Sequence, residues 1–311
     1  MRGARKVIEE CARVKKGEGT LIVTDPDIDP LVSIALLEAS CEACSEALIA
    51  TIGRRNSENM DPPARVVDMM LKSDVIICAT FLTMYYTSAK WKACQKGARF
   101  ISMAGATLAV LSSGAIEADF RKQKTVVEMV AKRLSDAKEI SIRAAGGTRI
   151  TASLEGRKAV AITGICDKRG ESSGVPDIEA YIAPVEDSVE GIAVIDASIS
   201  GFGLVHTPVR LEIHRGMATR ITGRLEAEKL RRTLAKQRNR RVYQLAEIGI
   251  GLNPTARLRG AIIEDESVLG TAHFALGDNS RFGGTNLAPV HVDLVFRRPV
   301  IKVDGTTLNS L

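Results

Sequence analysis

The sequence predicts an α/β chain in two parts: an N-terminal Rossmann-like open parallel sheet, then a C-terminal β-rich α+β domain. Three observations predict it. Strand-like and helix-like segments alternate as far as about residue 136, and helices of that length imply parallel crossovers. From about residue 137 the period shortens to strands joined by Gly-rich turns, such as Gly146-Gly147 and Glu155-Gly156. In the last quarter, histidines and carboxylates interrupt otherwise apolar strands. A chain of 311 residues suits two domains, here 1–136 and 137–311.

Composition narrows the function classes. Aromatic residues make up 4% of the chain, so the core rests on Ala, Ile, Leu and Val. The net charge of +6 comes from many charges of both signs and does not suggest nucleic acid. No apolar run reaches the roughly 20 residues of a membrane span, and the charged start lacks a signal peptide's apolar segment. The expectation is a cytoplasmic protein that avoids membranes and nucleic acid. The six cysteines are then reduced thiols, and the Cys41/Cys44 pair, late in a helix, has no second pair at zinc spacing.

In the first part, Ala4–Val14 reads as a helix, Thr20–Asp25 as a buried strand and Pro30–Ala43 as a helix. Strands at Ala47–Ile52, Asp74–Thr80 and Arg99–Met103 alternate with helices from Asp61 to Leu71 and from Thr87 to Gln95, and a long amphipathic helix covers Glu117–Ser135. The turn after the first strand, TDPDIDP, has no glycine, so it is not a dinucleotide fingerprint. Asp25, Asp27 and Asp29 there read as caps for the helix at Pro30 rather than as a metal cluster.

In the second part, strands are expected at Glu139–Ala144, Arg149–Leu154 and Lys158–Thr163, and Lys168–Val175 reads as a polar loop. Further strands cover Gly191–Ser200, Val209–Ile213 and Ala218–Ile221. The helix Leu225–Gln237 ends in a basic run that suits a solvated helix C-terminus and lacks the interleaved aromatics of an RNA-binding surface.

The chemistry concentrates between Leu245 and Asp293. His291 and Asp293 are two apart on PVHVDLVF, so both point to one face of a strand. His273 lies within GTAHFALG and Glu247 within LAEIGIG. A polar intrusion in each of three successive apolar strands is costly to bury unless a metal or a hydrogen-bond network satisfies it. Two imidazoles and two carboxylates make a nitrogen and oxygen set that suits zinc, manganese, cobalt or ferrous iron. Asn279 and Arg281 could orient a substrate or simply form a loop turn, and His206 could line the site or lie on the surface.

LAEIGIGLNP, GTAHFALGDN, FGG, PVHVDLV and the later VDG resemble the M29 (thermophilic aminopeptidase) family and, equally, its relatives the 2,5-dihydroxypyridine 5,6-dioxygenases. The resemblance is strongest from about Val175 to Asp304. It implies a metal-binding enzyme, a homo-oligomer that acts on a small molecule or short peptide, and it carries the M29 ligands onto Glu179 in VPDIEAYIAP, Glu247, His273, His291 and Asp293. On this basis the main expectation is an aminopeptidase-like hydrolase, in which two zinc, manganese or cobalt ions activate a water toward an amide. The alternative is a ring-cleaving dioxygenase with one Fe(II) held by His291, Asp293 and one more ligand. The signals divide. Ser280 stands where the peptidases have a tyrosine, and the chain is shorter than theirs. The dioxygenases resemble a histidine at the Glu247 position and a serine near Ala275, and this chain has neither.

Overall fold

The computed structural model describes residues 2–43 and 46–308. The chain divides into two compact units that are not continuous in sequence. The first comprises residues 1–124 and 162–178, and the second residues 125–161 and 179–311.

The first unit is built on a five-stranded sheet of parallel strands. Gly19–Thr24 pairs with Glu46–Thr51 on one side and Val75–Ala79 on the other, and Arg99–Ser102 follows. All five residues of Val75–Ala79 are buried, as a strand covered on both faces requires. Leu21, Val23, Ile76, Cys78 and Phe100 form the heart of one apolar layer with Met70 and Met84. The expected helices at Pro30–Ala43 and Ser88–Gln95 are present. The first helix differs: α-helical Arg2–Lys6 continues as a π-helical turn over Val7–Cys11. Cys41 is exposed, and Cys44 lies outside the described residues.

The fifth strand corrects an expectation. Ser172–Gly174, read from its Ser/Gly content as loop, pairs in parallel with Arg99–Ser102. Three residues have no periodicity to reveal a strand; the ladder itself and the bond from the Gly164 N–H to Ser173 Oγ (2.9 Å) hold it. The aspartates after the first strand also divide their work. Asp29 Oδ1 accepts the Leu31 N–H and caps the helix at Pro30, whereas Asp27 pairs with Arg54. Asp25 is buried and accepts the Phe81 N–H at 2.8 Å, tying the tips of two neighbouring strands.

The second unit contains two seven-stranded sheets. One is antiparallel and includes Glu139–Ala144, Arg149–Ser153, Glu190–Ile195, Val209–His214 and Met217–Thr222. Its alternating burial along Glu139–Ala144 marks a sheet with one face toward a core. The helix Leu225–Lys236 buries Ala227, Leu230 and Leu234 and leaves its basic residues outside. In the other sheet Ser198–Ile199, His291–Arg297, Thr271–Gly277, Leu245–Gly251 and Glu179–Ile182 lie side by side. Every residue of Leu245–Gly251 and Thr271–Gly277 is buried.

Asp25→Ala leaves the partly buried Phe81 N–H without its acceptor and should cost about 1 kcal/mol of stability. Urea denaturation checks this, and a midpoint equal to the wild type would refute the role given to Asp25.

Candidate metal centre

Four adjacent strands carry the five residues singled out in the sequence, and the antiparallel register puts all five on one face. Directly opposed residues in such a ladder share a face. Glu179 opposes Gly251, His273 opposes Gly249, and Ala275 opposes Glu247 on one side and Asp293 on the other. His291 opposes Gly277. Each polar side chain therefore has a glycine or alanine beside it, and the missing side-chain volume is the space in which the polar groups converge. Gly249 shows how tight this is: a Cβ there would fall 2.0 Å from His273 Nε2.

The polar atoms meet at hydrogen-bond range. His273 Nε2 is 3.3 Å from Glu179 Oε2 and 3.2 Å from Glu247 Oε1. His291 Nε2 is 3.4 Å from Glu247 Oε2 and 3.2 Å from Asp293 Oδ1. Glu247 thus turns one oxygen to each histidine. Two ligand groups result, Glu179–Glu247–His273 and Glu247–His291–Asp293, each with ligand atoms within 4.8 Å of one another. A third combines His273 and Asp293 with Glu266.

Burial raises the Glu247 carboxyl, but hydrogen bonds from both histidines and their charge outweigh it and hold the group at about 2. Burial lowers His291, and the charge and hydrogen bonds of Asp293 and Glu247 more than reverse this, so it rises well above the ordinary histidine value. Its other nitrogen, Nδ1, lies 2.8 Å from the Asp278 carbonyl. With Nδ1–H donating there, Nε2 is the nitrogen turned to the carboxylates and available to a metal. Four carboxylates against two imidazoles leave an excess of negative charge in largely buried ground, so a divalent cation fits this donor set.

Glu266 went unnoticed in the sequence. The triplet Glu264-Asp265-Glu266 signals acidity, but nothing in its spacing tells which carboxylate turns to the site. Glu264 and Asp265 are fully buried and accept backbone N–H groups of Arg257 (3.0 Å) and Arg259 (2.7 Å). Asn279 serves its own loop: its side chain accepts the Asn286 N–H (2.8 Å) and donates to Glu186 Oε1 (3.2 Å). Arg281 is exposed, 3.8 Å from Asp278, and Ser280 Oγ donates to Asp278. His206 lies on the surface.

With this geometry in view, the chain matches the model of the NicX family, described as 2,5-dihydroxypyridine 5,6-dioxygenase, over residues 3–310. The chain belongs to this family. It is 31% identical over 183 residues to the 2,5-dihydroxypyridine 5,6-dioxygenase of Pseudomonas putida, an alignment spanning 55% of this chain and 52% of that protein. The matched stretch is thus about half the length of that relative. Its structure resembles that of 2,5-dihydroxypyridine dioxygenase from Pseudomonas putida KT2440 with a TM-score of 0.83 at 21% identity, covering 99% of this chain and 94% of that one. It also resembles AmpT from Thermus thermophilus with a TM-score of 0.67 at 15% identity, covering 98% and 96%. The family places the chain among enzymes and favours the dioxygenase alternative over the hydrolase. Among the described residues, no helix is long and apolar enough to cross a membrane.

Two outcomes test the centre. Gly249→Ala should displace the His273 ring, lower metal affinity by about 10- to 100-fold and cost roughly 1–3 kcal/mol of stability. Metal titration with thermal unfolding measures both, and unchanged affinity would show that His273 is not a ligand. A metal must also displace the proton that Asp293 and Glu247 hold on His291. Affinity should therefore rise with pH, by up to about tenfold per unit, and keep rising above the ordinary histidine value of about 6.5. Chelator competition across that range checks the sign.

Proposed function

We propose that this chain is an Fe(II)-dependent ring-cleaving dioxygenase acting on a dihydroxypyridine-like aromatic. The observation that carries this reading is the match of the dioxygenase family model to residues 3–310. The donor set supports it. Glu247, His291 and Asp293 converge on the more open side of the cluster, where His291 and Asp293 keep 23% and 15% of their side-chain surface. An imidazole with carboxylates, short of a full coordination sphere, would hold ferrous iron and leave room for other ligands.

Bound there, the ion would supply the redox chemistry that brings a chelating dihydroxy ring and O₂ together. The chain's own residues do the rest. The Asp278 carbonyl fixes the orientation and tautomer of His291 through Nδ1. Glu247 couples the two histidines, so the rings keep their positions relative to each other. Glu179 and His273, buried and 3.3 Å apart, close the site behind the open triad.

A specific observation also favours a second reading, a two-ion hydrolase that cleaves an amide or N-terminal peptide bond with activated water. Glu247 bridges two ligand groups, as a carboxylate shared by paired zinc, manganese or cobalt ions would. Metal analysis of the purified protein separates the two. One iron per chain, with O₂ uptake on 2,5-dihydroxypyridine, is the expected result. Two non-iron ions with amide hydrolysis and no O₂ uptake would replace it. His291→Ala should lower activity by at least about 10²-fold in either case, because it removes a ligand of the open triad.

A further inference from the structure

The five ligand candidates differ in how they meet solvent. Glu179, Glu247 and His273 keep 5%, 6% and 1% of their side-chain surface, so they close the floor of the site. His291 and Asp293 are the members a substrate can approach. One aromatic ring stands at that approach. Phe282, half-buried, meets His291 edge to face with ring centroids 5.8 Å apart, and meets Tyr181 in the same manner at 5.3 Å. Tyr181 shares a strand face with Glu179 and opposes Gly249 across the ladder. In a chain with seven phenylalanines and four tyrosines, two of them flank this one cluster.

The loop that carries Phe282 is anchored, not loose. Glu186 Oε1 accepts the Thr285 N–H at 2.6 Å and the Asn279 side chain at 3.2 Å. Arg157 bonds both Glu186 and the Gly283 carbonyl. Asn286 Nδ2 donates to the Gly277 carbonyl at 2.6 Å. Gly284 lies so close to Asn279 that a Cβ there would fall 2.0 Å from its side-chain atoms. Each anchor sits within a few residues of Phe282, so the ring is held before any substrate arrives.

We propose that Phe282, backed by Tyr181, is the specificity-determining wall of the site and selects planar aromatic chelators over aliphatic ones. The inference rests on the dioxygenase reading for its substrate class. A fixed aromatic edge beside the approachable ligands gives a ring-shaped chelator an extra contact, of the edge-to-face or offset kind, that an aliphatic chelator with the same two oxygen donors cannot make. Phe282 touches no proton and ligates nothing, so it acts on selection and placement of the ring.

The test uses metal-loaded protein and two probes with paired oxygen donors, catechol and acetohydroxamate, titrated by absorbance on the Co(II) form. Phe282→Ala should weaken catechol by about tenfold and leave acetohydroxamate within about twofold. Phe282→Tyr keeps the ring and should hold the wild-type preference, and Phe282→Leu covers the case in which the alanine variant folds poorly. Equal weakening of both probes would mean that the ring only steadies His291, and no change in either would mean that it faces no ligand; both outcomes overturn the proposal. Turnover of 2,5-dihydroxypyridine by the iron form is measured in parallel, with KM rising in Phe282→Ala at unchanged iron content. A wild type that selects catechol but does not consume dihydroxypyridine would sink the dioxygenase reading while leaving the wall in place.

Discussion

A carboxylate buried between strands must share its charge with something, and Glu247 shares its charge with two histidines at once. Its two oxygens face His273 and His291 at 3.2 and 3.4 Å. Leaving water costs such a group several kcal/mol, which the imidazoles or a cation must offset. Much of the second unit follows from this requirement. The histidines must come from the two strands beyond the Glu247 strand, and their register must put them on its face. A slip of one residue in any of these ladders would turn one of these polar side chains to the opposite face.

The same constraint explains the small residues. Gly249, Gly251, Ala275 and Gly277 stand opposite the polar side chains because the center of this sheet has no spare volume. A close-packed interior can hold a polar cluster only where neighbouring side chains are missing. Glycines that look like weak points in the strands LAEIGIG and TAHFALG are therefore the mould of the site. Glu264 and Asp265 show the complementary solution: buried carboxylates that hold a loop by accepting its backbone N–H groups. The adjacent Glu266 joins the ligand groups instead.

The donor set accommodates one ion or two, and the geometry shows why. The open triad of Glu247, His291 and Asp293 suits one iron, and the buried Glu179 and His273 extend it toward a second position. Family membership alone does not choose between one ion and two, because Glu247 turns one oxygen to each of the two groups of ligand candidates. The choice lies in whether Glu179 and His273 help to hold a second ion.

The sequence by itself determined the mixed α/β organisation, most of the strands, and the five residues that converge. Apolar periodicity is a local property, and a polar residue inside an apolar run is visible without coordinates. Ser172–Gly174 escaped because three Ser/Gly residues have no periodicity and become a strand only by pairing with Arg99–Ser102. Glu266 escaped because three consecutive acids are equivalent until the backbone turns each one differently. Only the tertiary structure decided that Asp25 ties two strand tips instead of capping a helix, that Glu247 stands between both histidines, and that Phe282 flanks His291. Each depends on contacts between segments far apart in the chain, and such contacts are set by register and packing, which no single stretch of sequence contains.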